Sequence, residues 1–198
     1  SGSSNNCLDP LGDQGCCRNS LISKNPFGES SKWGDQNCDS PVLYSNQILS
    51  WLGQNLNPEF IIFTGNIGDR HLSSKTDKNQ IKNILQFTGQ IRSNFPNSLF
   101  FPVLGIYDYL QNSDYLLSQL YENGWDQFVP EIFLQYGYYN ITLSQSQLTI
   151  IGLNSLLYWV NNTEKQSYVQ YLWLRDQLTY ERSQNNKVYI IGSLSPLS

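Results

Sequence analysis

The chain reads as an α/β layered fold, and three observations predict it. Short, predominantly apolar runs recur at 60–64, 98–104 and 187–191, the pattern of strands buried on both faces of a parallel sheet. Segments with apolar residues at helical spacing separate them. Each run gives way to a loop that begins with Gly, at Gly65, Gly105 and Gly192. Layered α/β sheets carry their sites in such loops, at the carboxyl ends of the strands.

The elements follow in order. Residues 1–40 hold little periodicity and many turn formers, so they read as an irregular Cys-rich segment integral to the domain, with the α/β domain spanning 41–198. Asp39-Ser-Pro41 offers an N-cap followed by Pro in the first turn. Apolar residues at 43, 48, 49, 51 and 52 predict a helix ending near Gly53. Asn57-Pro58 breaks the chain, and Phe60 to Thr64 is the first strand. Over 75–94, Ile81, Ile84, Leu85, Thr88 and Ile91 fall on one helical face. Ser98 to Leu104 is the next strand. Tyr115 to Glu122 reads as a helix, with a further stretch around Trp125 after a turn. Gly137 to Leu143 and Gln147 to Leu153 predict a hairpin around Ser144-Gln-Ser-Gln147. Lys165 to Ser183 is a helix with Tyr168, Leu172, Trp173 and Leu178 inward, and Lys187 to Ile191 is the last strand.

Composition excludes some functions. Charged residues are 14% of the 198, against about 25% in typical globular chains. The chain has 21 Asn and 17 Gln, so amides largely replace charge on the polar surface, through base composition or for a surface with little self-repulsion. A net charge of -4 argues against a nucleic-acid partner, which needs a basic footprint. No apolar run approaches the roughly 18 residues that cross a bilayer, so no transmembrane segment is expected. The first residues, SGSSNN, lack the apolar core of a signal peptide; a mature secreted chain would look the same.

The four cysteines, Cys7, Cys16, Cys17 and Cys38, all lie in the first fifth of the chain. Adjacent Cys16 and Cys17 suit paired C-x2-C zinc knuckles poorly, and the single His is remote, so two disulfides are the better reading and a zinc site the rival one. Disulfides imply an oxidising compartment. Two N-x-T sequons, at Asn140 and Asn161, point the same way and make N-linked glycans expected. The chain is expected to be secreted or lumenal.

The loops TGNIGDRH, LGIYDY and IGSLSP sit where calcineurin-like metallophosphoesterases carry Gly-Asp, Gly-Asn-His and Gly-His. More narrowly, the chain resembles the acid sphingomyelinase and acid sphingomyelinase-like phosphodiesterase family. The resemblance runs in order through CLDPLGDQGCCR, KWGDQNCDSP, FIIFTGN, FPVLGIYD, LTIIGLN and QYLWLRDQL…KVYIIGSLSP, covering nearly the whole chain. It implies the N-terminal half of a layered αββα sandwich, with disulfides Cys7–Cys16 and Cys17–Cys38 stapling the first segment. The family's first loop, Asp-x-His, would precede the Cys-rich segment, and its Gly-His-x-His loop would follow residue 198.

The resemblance also implies two metals that activate water and polarise a phosphate, and the loops depart from it. Asn66 stands where the family has a bridging Asp, and a neutral amide cannot offset repulsion between two cations. Ile106 and Tyr107 replace Asn and His, and Ser193 replaces a His. His71 is the residual candidate, one residue later than the family's leaving-group His. Asp69 and Asp108 read as solvated loop carboxylates. The donor count therefore predicts no metal or other cofactor and a catalytically inactive, phosphodiesterase-like protein with a structural, assembly or binding role. A binding module for carbohydrate or lipid, reusing the old cleft, is a further reading. The alternative is a metal-dependent, sphingomyelinase-like phosphodiesterase of which this chain is a part. Expected partners are other protein chains, further copies, or the remainder of the polypeptide. The 13 Tyr and 5 Trp suit such contacts, and Lys187 to Ile191 is expected near an interchain or interdomain boundary.

Overall fold

A computed structural model describes residues 40, 42–68, 77–108, 113–158 and 164–194. The four cysteines, Asp69, His71, Asn161 and the Asp39-Ser-Pro41 cap lie outside them, save Ser40. The architecture is mixed α/β and divides into two compact units.

The first unit carries helix α1 (Val42–Asn55) and helix α2 (Asp77–Asn94). They meet closely at Gly53, where an added Cβ would lie 2.7 Å from the Asn94 carbonyl oxygen. The expected face of α2 is borne out, with Ile81, Ile84, Thr88 and Ile91 buried together with Gln80. α1 is otherwise: none of its residues is buried, and Leu43, Tyr44, Ile48 and Trp51 are exposed.

The second unit holds the strands. β1 (Phe60–Phe63) pairs in parallel with β2 (Leu99–Pro102), Phe60 opposite Leu99. The ladder runs on into the following loop through Val103 N–H to the Phe63 carbonyl at 2.9 Å. Helix α3 (Ser113–Glu122), a 3-10 turn at Trp125–Gln127 and the short helix α4 (Ile132–Tyr136) follow. α4 was not expected from the sequence; Gly137, at φ 70°, closes it in the left-handed region.

The predicted hairpin forms. β3 (Tyr139–Leu143) pairs antiparallel with β4 (Leu148–Gly152), and β4 pairs in parallel with β5 (Lys187–Ile191) after helix α5 (Glu164–Ser183). β2 lies beside β4, and the Tyr139 hydroxyl, on β3, donates to the Pro102 carbonyl at 3.0 Å. The core is aromatic: Trp125 and Phe133 are fully buried with rings 5.4 Å apart, and buried Tyr138 stacks between Tyr136 and Trp173.

The inward face expected for α5 is corrected. Tyr168 is 61% exposed and Leu178 36%, whereas Gln170 and Glu181 are at 0% and 1%. These polar residues can be buried because each has partners. Gln170 exchanges hydrogen bonds with the backbone of Asn154, and Glu181 accepts from Thr149 and Asn186.

Candidate functional site

The candidate site is the set of loops at the carboxyl ends of β1, β2, β4 and β5. The first turns sharply because two successive residues take left-handed backbone, Gly65 at φ 81° and Asn66 at φ 69°. Glycine accepts that conformation freely, and Asn is among the few other residues that tolerate it. A Cβ on Gly65 would overlap the Gly105 backbone nitrogen, and one on Gly105 would overlap the Asn66 side chain. The two glycines let these loops touch.

Asp108 joins them. It ends a 3-10 turn, Ile106–Asp108, and is 1% exposed. One carboxylate oxygen accepts Asn66 N–H at 2.7 Å and Gly105 N–H at 2.9 Å; the other accepts Ile67 N–H at 2.8 Å. Asn66 answers with its side-chain oxygen, which accepts Tyr107 N–H at 3.3 Å. The expectation of a solvated Asp108 is therefore corrected: three amides replace its water. A Gly followed three residues later by Asp, opposite a Gly-Asn turn, is the signal that could have found the clamp.

The third loop is held differently. Ser155, which follows β4, accepts the N–H groups of Ser193 and Leu194 on its hydroxyl oxygen, each at 3.2 Å. The Ser193 hydroxyl is buried and finds no hydrogen-bond partner among the described residues. The structure thus brings Asn66, Tyr107 and Asp108 together and anchors Ser193 on Ser155.

This arrangement does not fit a two-metal centre. Ile106 has no donor atom, Asn66 and Ser193 are neutral, and both oxygens of Asp108 are held by amides. Among the described residues no group of three or more His, Cys, Asp or Glu could hold a metal. Of the sequons, Asn140 is half-buried on β3, where its side-chain N–H donates to Gln177 at 2.9 Å.

An α/β core with converging loops at the carboxyl ends of its parallel strands is a frame that binds ligands. No family model matches the chain, but individual proteins do. It is 33% identical over 179 residues to sphingomyelinase phosphodiesterase D of Dictyostelium discoideum, covering 83% of this chain and 40% of that one. It is 31% identical over 183 residues to the human cyclic GMP-AMP phosphodiesterase SMPDL3A, covering 81% and 39%. It is 25% identical over 189 residues to the human acid sphingomyelinase-like phosphodiesterase 3b, covering 86% and 41%. The chain is a homologue of the sphingomyelinase and acid sphingomyelinase-like phosphodiesterases, and its alignments span about two fifths of the length of these curated relatives.

These relatives correct the expectation that the chain is not an enzyme. All three are named for phosphodiester cleavage, so the chain stands in an enzyme family. The error was one of counting. The departures at Asn66, Ile106, Tyr107 and Ser193 bear on these four positions alone. They do not tally a site to which a protein more than twice as long could contribute.

Proposed function

We propose that this chain forms part of a secreted or lumenal phosphodiesterase, as the loop-bearing N-terminal half of a layered αββα sandwich. The observation that carries the reading is the Asp108 clamp. It sets two loops against each other at the carboxyl ends of paired parallel strands, where α/β folds bind ligands. The homology supplies the reaction class, cleavage of a phosphodiester. Sphingomyelin and cyclic dinucleotides are candidate substrates through the names of the relatives.

The chain's own residues have defined parts in this reading. Asp108 and the glycines fix the loop geometry. Asn66, exposed at the tip, is placed to donate from its side-chain amide to a phosphate oxygen, because its oxygen is already engaged by Tyr107. Since Ile106 has no donor atom and Asn66 and Ser193 offer only neutral ones, no catalytic step is assigned through a metal held there.

The four cysteines, paired Cys7–Cys16 and Cys17–Cys38, and the sequons at Asn140 and Asn161 belong to the same reading. An N-glycosylated amide keeps one N–H, so a glycan on Asn140 is compatible with its bond to Gln177. No described helix is long and apolar enough to cross a membrane.

The test is turnover by the full-length protein, made in a secretory host. Bis(p-nitrophenyl) phosphate, sphingomyelin and a cyclic dinucleotide are the probes, with and without chelator. Release of product from at least one probe is expected. No turnover of any, by folded protein, would defeat the reading.

A further inference from the structure

Two stripes of helix α5 lie over two different strands. Gln170 and Glu181 are held from β4 and the loop after it, by the Asn154 backbone and by Thr149. Trp173, Gln177 and Tyr180, spaced i, i+4 and i+7, form the stripe beside them, and its partners come from the β3 side. The Trp173 ring lies 4.5 Å from that of Tyr138, just before β3, and Gln177 accepts the Asn140 side-chain N–H at 2.9 Å. Four residues of helix rise about 6 Å and two of strand about 7 Å, so α5 and β3 run the same way and stay in step. The next level therefore sets Tyr180 beside Thr142. The neighbouring stripe gives the same level, since Glu181 bonds Thr149, the register partner of Thr142.

Asn140 and Thr142 are also the ends of the sequon Asn140-Ile-Thr142. Asn140 is half-buried and gives one side-chain N–H to Gln177; its second has no partner among the described residues. The stripe opens toward the sequon's threonine. Trp173 and Gln177 are half-buried, whereas Tyr180 is 58% exposed, and no other ring among the described residues packs on it. An open aromatic face thus lies about one helical turn from the residue that grips the sequon's asparagine.

We propose that the seam between β3 and α5 is the seat of an N-linked glycan on Asn140, its first N-acetylglucosamine lying on the Tyr180 ring. In the transfer, Nδ2 of Asn140 bonds to C1 of the sugar, the C1–O bond to a lipid-linked diphosphate donor breaks, and one amide proton leaves. The other proton stays for Gln177, which keeps the linkage against the helix. The C–H groups on a pyranose face are apolar and weakly positive, and an aromatic ring presents them a negative face. The transfer precedes folding, because the sheet engages both Asn140 and Thr142. The inference rests on the secreted or lumenal reading, which supplies the donor, and on no particular reaction.

Two measurements on full-length protein from a secretory host test it: glycopeptide mass spectrometry, and release of the glycan from native protein by peptide-N-glycosidase, which must reach the first sugar. Asn140 is expected to be occupied. Release from Tyr180→Ala is expected to be about three- to tenfold faster than from wild type, the factor that one aromatic contact supplies. Tyr180→Phe, which keeps the ring, should behave as wild type. Equal release from wild type and Tyr180→Ala would overturn the seat. An unoccupied Asn140 in folded, secreted protein with its disulfides formed would overturn the inference and leave the secreted reading standing. Free thiols at all four cysteines and no sugar at either sequon would defeat that reading itself, and this inference with it.

Discussion

The carboxylate of Asp108 accepts the backbone N–H of Asn66 at 2.7 Å, across 42 positions of sequence. The bond couples two features that would each be unfavourable alone. A buried charge needs donors, and a left-handed turn needs something to hold it. With Ile67 and Gly105 completing the set, the loops after β1 and β2 satisfy each other.

Asp108→Asn should therefore destabilise the protein by about 2–3 kcal/mol, because a side-chain amide would place donors against donors and its remaining oxygen would be uncharged. Urea unfolding of the full-length variant measures this. A change within about 0.5 kcal/mol would mean that the clamp is not under tension from folding.

Positions 65 and 66 separate backbone from side chain. Gly65→Ala combines φ 81° with a Cβ that overlaps Gly105, and should cost at least about 2 kcal/mol. Asn66→Gly relieves the backbone at φ 69° and loses only the bond to Tyr107, so it should lie within about 1 kcal/mol of wild type. Equal effects on the unfolding midpoint would show that loop strain is not the controlling term.

Much of the fold was legible because strands and amphipathic helices advertise themselves by period: β1, β2, β5, the hairpin and α2 all emerged from apolar spacing. Two of the misreadings share one cause, which is polar residues that are buried because they are paired. Hydropathy placed Tyr168 and Leu178 inside α5, yet Gln170 and Glu181 are the residues inside. Asp108 read as solvated for the same reason. A hydrogen bond across 42 positions leaves no local trace. α4 escaped because five residues cannot display a helical period. At the site, the residues at 66, 106, 107 and 193 were legible as departures from a family pattern, but their consequence for activity was not.

Asn66→Asp should create no metal site. Ile106 and Ser193 still contribute no anionic or imidazole donor, and the new carboxylate would stand beside that of Asp108. Calorimetric titration of the variant with zinc or manganese, compared with wild type, is expected to show no additional stoichiometric binding. A new saturable site would reverse the assignment of these positions.

Alkaline pH should weaken the fold. Burial, followed by the nearby Tyr136 and Tyr158, raises the Tyr138 hydroxyl to about 12, and burial pushes Tyr139 up as well. A folded-state value above the unfolded one means tighter proton binding in the native state. The resulting stability is complete below about pH 10, the unfolded value, and is lost as pH rises toward 12. Urea midpoints should therefore be flat in tyrosine's contribution up to about pH 9 and fall between 10 and 12. Phenolate absorbance should show Tyr138 and Tyr139 ionising above the usual tyrosine range. Ionisation of Tyr138 and Tyr139 near pH 10 in the folded protein would contradict it.

Thr149 and Glu181 offer the sharpest test of packing between β4 and α5. The Thr149 hydroxyl proton goes to Glu181 at 2.7 Å, so Thr142, 3.0 Å away on β3, must be the donor to Thr149. Asn186 donates to the same Glu181 oxygen at 2.7 Å, while the other oxygen is buried without a partner among the described residues. Thr149→Val removes one of the two donors and leaves the carboxylate buried, so it should cost about 1.5–3 kcal/mol. Glu181→Met strands the donors of Thr149 and Asn186 instead, at a comparable cost. Making both changes removes the carboxylate together with its hydroxyl partner, and apolar pairs of similar volume often replace buried polar ones with little loss. The double variant should therefore be destabilised by about 1–2 kcal/mol less than the sum of the single ones, a coupling readily measured by urea unfolding. Additive costs would mean that the two side chains stabilise the sheet and helix independently, whatever their separation.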